Sequence, residues 1–223
     1  MKGENNSSRL PGSQNSGSEW TLCFPLLSFT LALREESVLA HKSKRPRKKL
    51  ADPTQLRPID KKDGMLQVIV ETPKGSRNKY AFDPDQEIFA LKKVLPAGMA
   101  FPYDFGFLPE TIAGDGDPID VLVLMDEPAF PGCLLKARLI GVIEGQQSDG
   151  GKKIRNDRLL AVAEANHRSA DIRQMKDLPK HFLRELETFF VNYHKLEGKR
   201  YEFLGCKGRG AANRLIEQAR KDS

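Results

Sequence analysis

An α+β fold, strands first and helices last, is predicted by three features of the chain. Short β-like runs begin near residue 60, turn-forming clusters separate them, and helical periodicity is confined to the C-terminal part. Strands are expected at Leu66 to Val70, Lys79 to Phe82, Glu87 to Leu91, Ile119 to Met125, Leu134 to Ile143 and Leu159 to Ala163. Pro, Gly, Asp and Asn clusters bound them, as they bound strands joined by tight turns. Runs this short describe a compact antiparallel sheet or a small barrel. Further on, Phe182, Leu183, Leu186, Phe189, Phe190, Tyr193 and Leu196 recur at intervals of three and four, the apolar stripe of an amphipathic helix. Asp177 is its candidate cap and Gly198 its stop, and a second helix is expected from about Arg209 to Arg220.

A chain of 223 residues suits one domain with an appendage. The first fifty residues hold nine Lys or Arg and four Asp or Glu, so most of the net charge of +6 belongs to that segment. Residues 1 to 18 are rich in Ser, Asn and Gly and bury too little to fold alone. The apolar run from Trp20 to Leu33 is too short to span a membrane, and the long segment before it contains acidic residues, unlike a secretory leader. Lys42 to Lys49 carries six cations in eight residues but no interleaved aromatics, which describes a solvated linker better than a nucleic-acid patch. Residues 1–50 are therefore expected to be a disordered basic extension and 51–223 the folded domain, with neither membrane nor nucleic acid as partner. Cys23, Cys133 and Cys206 follow no metal or redox spacing and read as reduced thiols of a cytoplasmic protein. His41, His167, His181 and His194 form no metal-spaced pair, so zinc is not expected.

The chemistry concentrates in Asp115-Gly116-Asp117-Pro118-Ile119-Asp120, three carboxylates in six residues ahead of the apolar run Val121 to Met125. Like charges this close need either full solvation or a cation among them. In an extended chain Asp115 and Asp117 share a side, and Pro118 bends the path so that Asp120 can rejoin them. Oxygen ligands without His or Cys suit a hard cation such as Mg²⁺, while Gly, Asp and Pro equally make a solvated turn.

The preceding segment, Ala100-Phe101-Pro102-Tyr103-Asp104-Phe105-Gly106-Phe107-Leu108-Pro109-Glu110-Thr111, joined to Gly114-Asp115-Gly116-Asp117-Pro118-Ile119-Asp120-Val121-Leu122-Val123, resembles the soluble inorganic pyrophosphatases of the first family. Val68-Ile69-Val70-Glu71-Thr72-Pro73 and Lys79-Tyr80 upstream, and Leu159-Leu160-Ala161-Val162 and Phe189-Phe190-Val191-Asn192-Tyr193 downstream, fall in the family's order. The resemblance implies a five-stranded, OB-like antiparallel barrel flanked by C-terminal helices, Mg²⁺-dependent hydrolysis of pyrophosphate to phosphate, and a homo-oligomer. It implies Asp115, Asp117 and Asp120 as metal ligands, with Asp117 the base that deprotonates the nucleophilic water. Glu71, Lys79, Lys93, Arg158 and Tyr193 match substrate-binding positions, Lys93 standing where the family has arginine and Arg158 where it has lysine. Other departures are Ala81 for a second glutamate, Phe101 and Phe105 for two tyrosines, and His194 for a lysine. Asn156 falls at the place of a fourth metal-binding aspartate, with Asp157 adjacent and taken as the ligand. These changes remove several hydrogen bonds to phosphate, each worth about 1.5 to 3 kcal/mol. A weakened enzyme, or a catalytically impaired relative that binds phosphate compounds or a partner protein, is the alternative expectation.

Overall fold

The computed structural model describes residues 52–221; the expected extension, its apolar and cationic runs, Cys23 and His41 lie outside the described residues. The strands are β1 (Leu66–Thr72), β2 (Asn78–Asp83), β3 (Ile88–Val94), β4 (Asp104–Phe107), β5 (Asp120–Leu124), β6 (Leu134–Asp149), β7 (Lys152–Arg155), β8 (Arg158–Ala163) and β9 (Arg200–Gly208). The helices are α1 (Lys180–Lys195) and α2 (Arg209–Lys221). All six expected strands form, and β4, β7 and β9 are additional. β4 is only four residues long and has a glycine at its centre, so it carries no readable alternation. β9 is polar at many positions and is recruited by pairing along β6.

Hydrogen-bonded pairs β1–β4, β4–β5, β5–β8, β8–β6 and β6–β1 make a circuit in which every strand has two neighbours. Four of these pairs are antiparallel, but β5 and β8 run parallel, a correction to the all-antiparallel expectation. Parallel neighbours need a crossover rather than a tight turn. The long β6 and its hairpin partner β7 supply it. β6 serves so many partners because its pairing register shifts between Leu139 and Gly141 and again between Glu144 and Gly145. Such bulges bend a strand and re-aim it. The β2–β3 hairpin forms a separate two-stranded sheet.

Alternation along the central strands divides the core between the two helices. Val121, Val123, Leu159 and Ala161 pack with Ala212, Ile216 and Ala219 of α2. Leu122, Leu124, Leu160 and Val162 pack with Phe182, Leu186 and Phe190 of α1. β8 is buried at all six positions, which is why it reads as a continuous apolar run rather than an alternating one. The helix stripe is as the spacing predicts from Phe182 to Tyr193, but Leu196 falls at the C-cap and is exposed, and the start differs. Pro179 occupies the N-cap of α1 and its carbonyl accepts the Phe182 amide. Asp177 closes the preceding 3₁₀ turn, where Oδ2 accepts the Arg173 and Gln174 amides.

Gly106 sits where β4 crosses β1: a Cβ there would lie 2.0 Å from the Ile69 carbonyl oxygen. Backbone cannot yield as a flexible side chain would, so Gly106→Ala is expected to cost about 1 to 3 kcal/mol. Urea unfolding of parent and variant measures this as a lower midpoint with an unchanged slope.

Candidate active site

Thr111 organises the acidic loop from beneath. Buried at 4% exposure, it donates Oγ1–H to the Leu108 carbonyl and accepts the Ile119 amide. The loop is further tied by the Ala113 amide to the Asp117 carbonyl and the Gly116 amide to the Ala113 carbonyl. Gly116 holds φ of +92°, a conformation that side chains resist. Ile119 is fully buried and anchors the turn, after which Asp120 opens β5.

Asp115, Asp117 and Asp120 line one cleft of about 220 Å³ together with Lys79, Arg158 and Tyr193. Burial pushes the Asp115 carboxyl above its usual range, opposed by the hydrogen bond from the Asp117 amide, while the Asp117 charge adds to the rise. Burial also raises Asp120, opposed by the nearby Arg158 and Lys79. Asp117 is exposed at the mouth. Glu71 lies at the irregularity in the β1–β4 register and accepts the Phe82 amide at 2.8 Å. Burial raises it to about 7, against the pull of Lys79.

The cations rest on aromatic faces. Lys79 Nζ is 4.5 Å from the Phe105 ring centre and Lys93 Nζ 3.8 Å from that of Tyr193, while Lys93 also pairs with Glu197. Arg158 is 3% exposed, with its guanidinium carbon 4.1 Å from the Phe190 ring centre. Burial raises the Tyr193 hydroxyl well above its ordinary range, so it stays protonated and can donate. His194 is buried, and its Nδ1 lies 2.8 Å from the Phe190 carbonyl. A carbonyl only accepts, so Nδ1 bears the proton. Burial, reinforced by Arg158, pushes the imidazole down to about 4, so His194 is neutral at pH 7.

Of the nine residues expected from sequence, six line this cleft, Glu71 and Lys93 adjoin it beside Lys79 and Tyr193, and Asp157 does not reach it. Asp157 Oδ1 accepts the Gly145 amide and Oδ2 pairs with Arg155 at 2.7 Å. It lines a separate cavity of about 490 Å³ with Glu144, Arg155 and Lys207. Neighbouring residues of an extended chain point to opposite sides, so Asn156 and Arg158 face the cleft while Arg155 and Asp157 face away. Counting by two from Arg158 would have found Asn156, whose amide donates to Gln147. No sequence pattern announced Phe190, Glu197 or Tyr201 as neighbours of the site. In the 490 Å³ cavity the carboxylates are matched by Arg155 and Lys207, whereas the three acids of the cleft retain an excess of negative charge on their wall.

Among the described residues no three His, Cys, Asp or Glu side chains converge closely enough to hold a metal ion unaided. Mg²⁺ does not require this, since it keeps several waters and uses one or two carboxylates with substrate oxygens. The oxygen-only donor set, and carboxyls raised by burial despite the nearby Arg158, fit such an ion.

A profile of the inorganic pyrophosphatase family matches residues 68–223. Inorganic pyrophosphatase of Synechocystis sp. is 43% identical over 165 residues, covering 74% of this chain and 95% of that one. The Geobacillus stearothermophilus enzyme is 39% identical over 154 residues, covering 69% and 91%. The crystal structure of inorganic pyrophosphatase from Thermus thermophilus superposes with a TM-score of 0.71 at 31% identity, covering 77% of this chain and 98% of that one.

His194 generates a pH prediction. Its folded pKa lies below the unfolded value of 6.5, so the unfolded state binds the proton first and stability falls as pH drops from 6.5 towards 4. Metal-free parent is expected to lose more stability between pH 7.5 and pH 5 than His194→Gln, measured by denaturant midpoints at both pH values.

Proposed function

The chain belongs to the inorganic pyrophosphatase family, and from that premise we propose that it hydrolyses pyrophosphate to two phosphates with Mg²⁺ as its metal. The observation that carries this reading is a single cleft with Asp115, Asp117 and Asp120 on one side and Lys79, Arg158 and Tyr193 on the other. Pyrophosphate is highly anionic, so its hydrolysis requires neutralised oxygens, an activated water and a stabilised leaving phosphate. Mg²⁺, held by Asp115, Asp117 and Asp120, would offset substrate charge and lower the pKa of the attacking water.

The protein groups supply the remainder. Asp117, the exposed member of the trio, takes the proton from the water as it attacks in line. Lys79 and Arg158 take up charge on phosphate oxygens, Arg158 through a planar fork suited to them. The Tyr193 hydroxyl donates to phosphate. Lys93 holds the rim through Glu197 and adds positive charge. Glu71, raised to about 7, stands beside Lys79 and tempers the charge that Lys79 brings to the substrate.

Ala81, Phe101 and Phe105 offer no side-chain donor, and neutral His194 brings no charge, which favours a slower enzyme than a site with the full complement of donors. Assembly with copies of itself belongs to the same reading. Ile88, Leu91 and Val94 of β3 are more than half exposed, an apolar surface that such contacts would cover. Cytoplasmic residence accords with the free thiols of Cys133 and Cys206, and no described helix is long and apolar enough to cross a membrane.

Phosphate release from Mg-pyrophosphate by the full chain tests the activity. Asp117→Asn is expected to lower kcat by about 10²- to 10⁴-fold with its fold intact by circular dichroism. A parent no faster than the uncatalysed background overturns the reading in favour of a non-catalytic binding protein.

A further inference from the structure

Arg158 is unusually constrained for a residue that must meet substrate. Its Nη1 donates to the Asn156 carbonyl and to the Tyr201 hydroxyl, both at 3.2 Å. The face of the guanidinium lies on Phe190. Nε stands 3.5 Å from Asp120 Oδ2, fully buried and without a hydrogen-bond partner. Because the guanidinium is planar and rigid, fixing one nitrogen and one face fixes the direction of every other N–H. Of the two partners of Nη1, the Asn156 carbonyl belongs to the main chain just before Arg158, so Tyr201 is the remote one that sets the angle.

Tyr201 is itself held from two sides. It is 6% exposed on β9, and its ring stacks on His194 at 4.7 Å and 17°. His194 is tethered to the Phe190 carbonyl of α1. The phenol end rests against Gly145 of β6, where a Cβ would come within 2.1 Å of the hydroxyl oxygen. The φ of Gly145 is not positive, so glycine is required there for space and not for backbone conformation. Gly145 also accepts the Asn156 amide and donates to Asp157, so it sets the main chain that leads into Arg158.

We propose that Tyr201, seated on Gly145 and backed by His194, is a positioning residue that orients the Arg158 guanidinium toward the phosphate cleft. The arrangement commits one nitrogen of Arg158 to protein and leaves Nε 3.5 Å from Asp120, so the head is set before substrate arrives. Preset charge of this kind acts mainly where negative charge grows in the transition state, so its loss lowers kcat more than it raises KM. That kinetic consequence rests on the pyrophosphatase reading; the orientation itself does not.

Tyr201→Phe removes the single oxygen. In the full chain with Mg-pyrophosphate it is expected to lower kcat about tenfold, with KM changed less than twofold. In an Arg158→Lys background the same substitution adds no further loss. The Arg158 Nε–H resonance, assigned from its absence in Arg158→Lys, shifts and broadens in Tyr201→Phe. Gly145→Ala, which displaces the hydroxyl without deleting it, moves the resonance the same way. The proposal is overturned if the Nε–H signal and kcat per folded molecule are unchanged in Tyr201→Phe, even where thermal stability drops. A parent without pyrophosphatase activity removes the functional reading alone, and the Nε–H signal then decides the positioning by itself.

Discussion

The parallel pairing of β5 with β8 is the constraint on which the site depends. It puts Asp120 in register with Arg158, so the last acid of the loop and a buried arginine leave adjacent strands on the same side. Burying a guanidinium costs several kcal/mol unless charge and hydrogen bonds compensate it. Here Asp120, the Asn156 carbonyl, the Tyr201 hydroxyl and the Phe190 face share that role. Asp120 gains in return, since Arg158 is the largest influence opposing the rise that burial imposes on its carboxyl. The two residues at the start of these strands therefore lie 3.5 Å apart at the boundary between core and cleft.

A second regularity surrounds this pair. Lys79, Lys93 and Arg158 each lie over an aromatic ring, those of Phe105, Tyr193 and Phe190. Lys79 and Lys93 also face each other across the β2–β3 hairpin, an arrangement that like charge disfavours. Aromatic faces offset some of that repulsion, each contact contributing about 0.5 to 2 kcal/mol. Phe101 and Phe105 contribute packing and ring faces but no hydroxyl. Phe101 is buried against Phe105, Phe189 and Tyr193. His194 follows the same logic: as a neutral flat ring it stacks on Tyr201, which a lysine at that position could not do. Around the cleft, aromatic rings and a neutral imidazole thus hold cations and one another.

Much of the architecture was legible in the chain. Apart from β6, which runs six residues past its expected end at Ile143 to Asp149, the strands with strong apolar patterning appear within a few residues of their expected bounds, because burial on both faces left long runs such as Leu159 to Ala163. The stripe from Phe182 to Tyr193 is helical because its spacing puts Phe182, Leu186, Phe190 and Tyr193 on the sheet-facing side. β4 and β9 were not legible, since their ladders are made by partners distant in sequence, β1 and β6. Asp177 was a poor cap for a different reason: Leu178-Pro179 starts the helix later, leaving the aspartate to close a turn of its own.

The sequence by itself determined the composition of the site: three acids around a Gly-Asp-Pro turn, cations at set positions before and after, and a helix bearing Tyr193. Those follow from local spacing, which the covalent chain enforces. Only the tertiary structure decided which side chains meet. It turned Asp157 away to Arg155 and presented Asn156 instead, because strand alternation assigns neighbours to opposite faces. It also brought Tyr201 and Gly145 against Arg158, a meeting of strands far apart in the chain that depends on register across β6, β8 and β9.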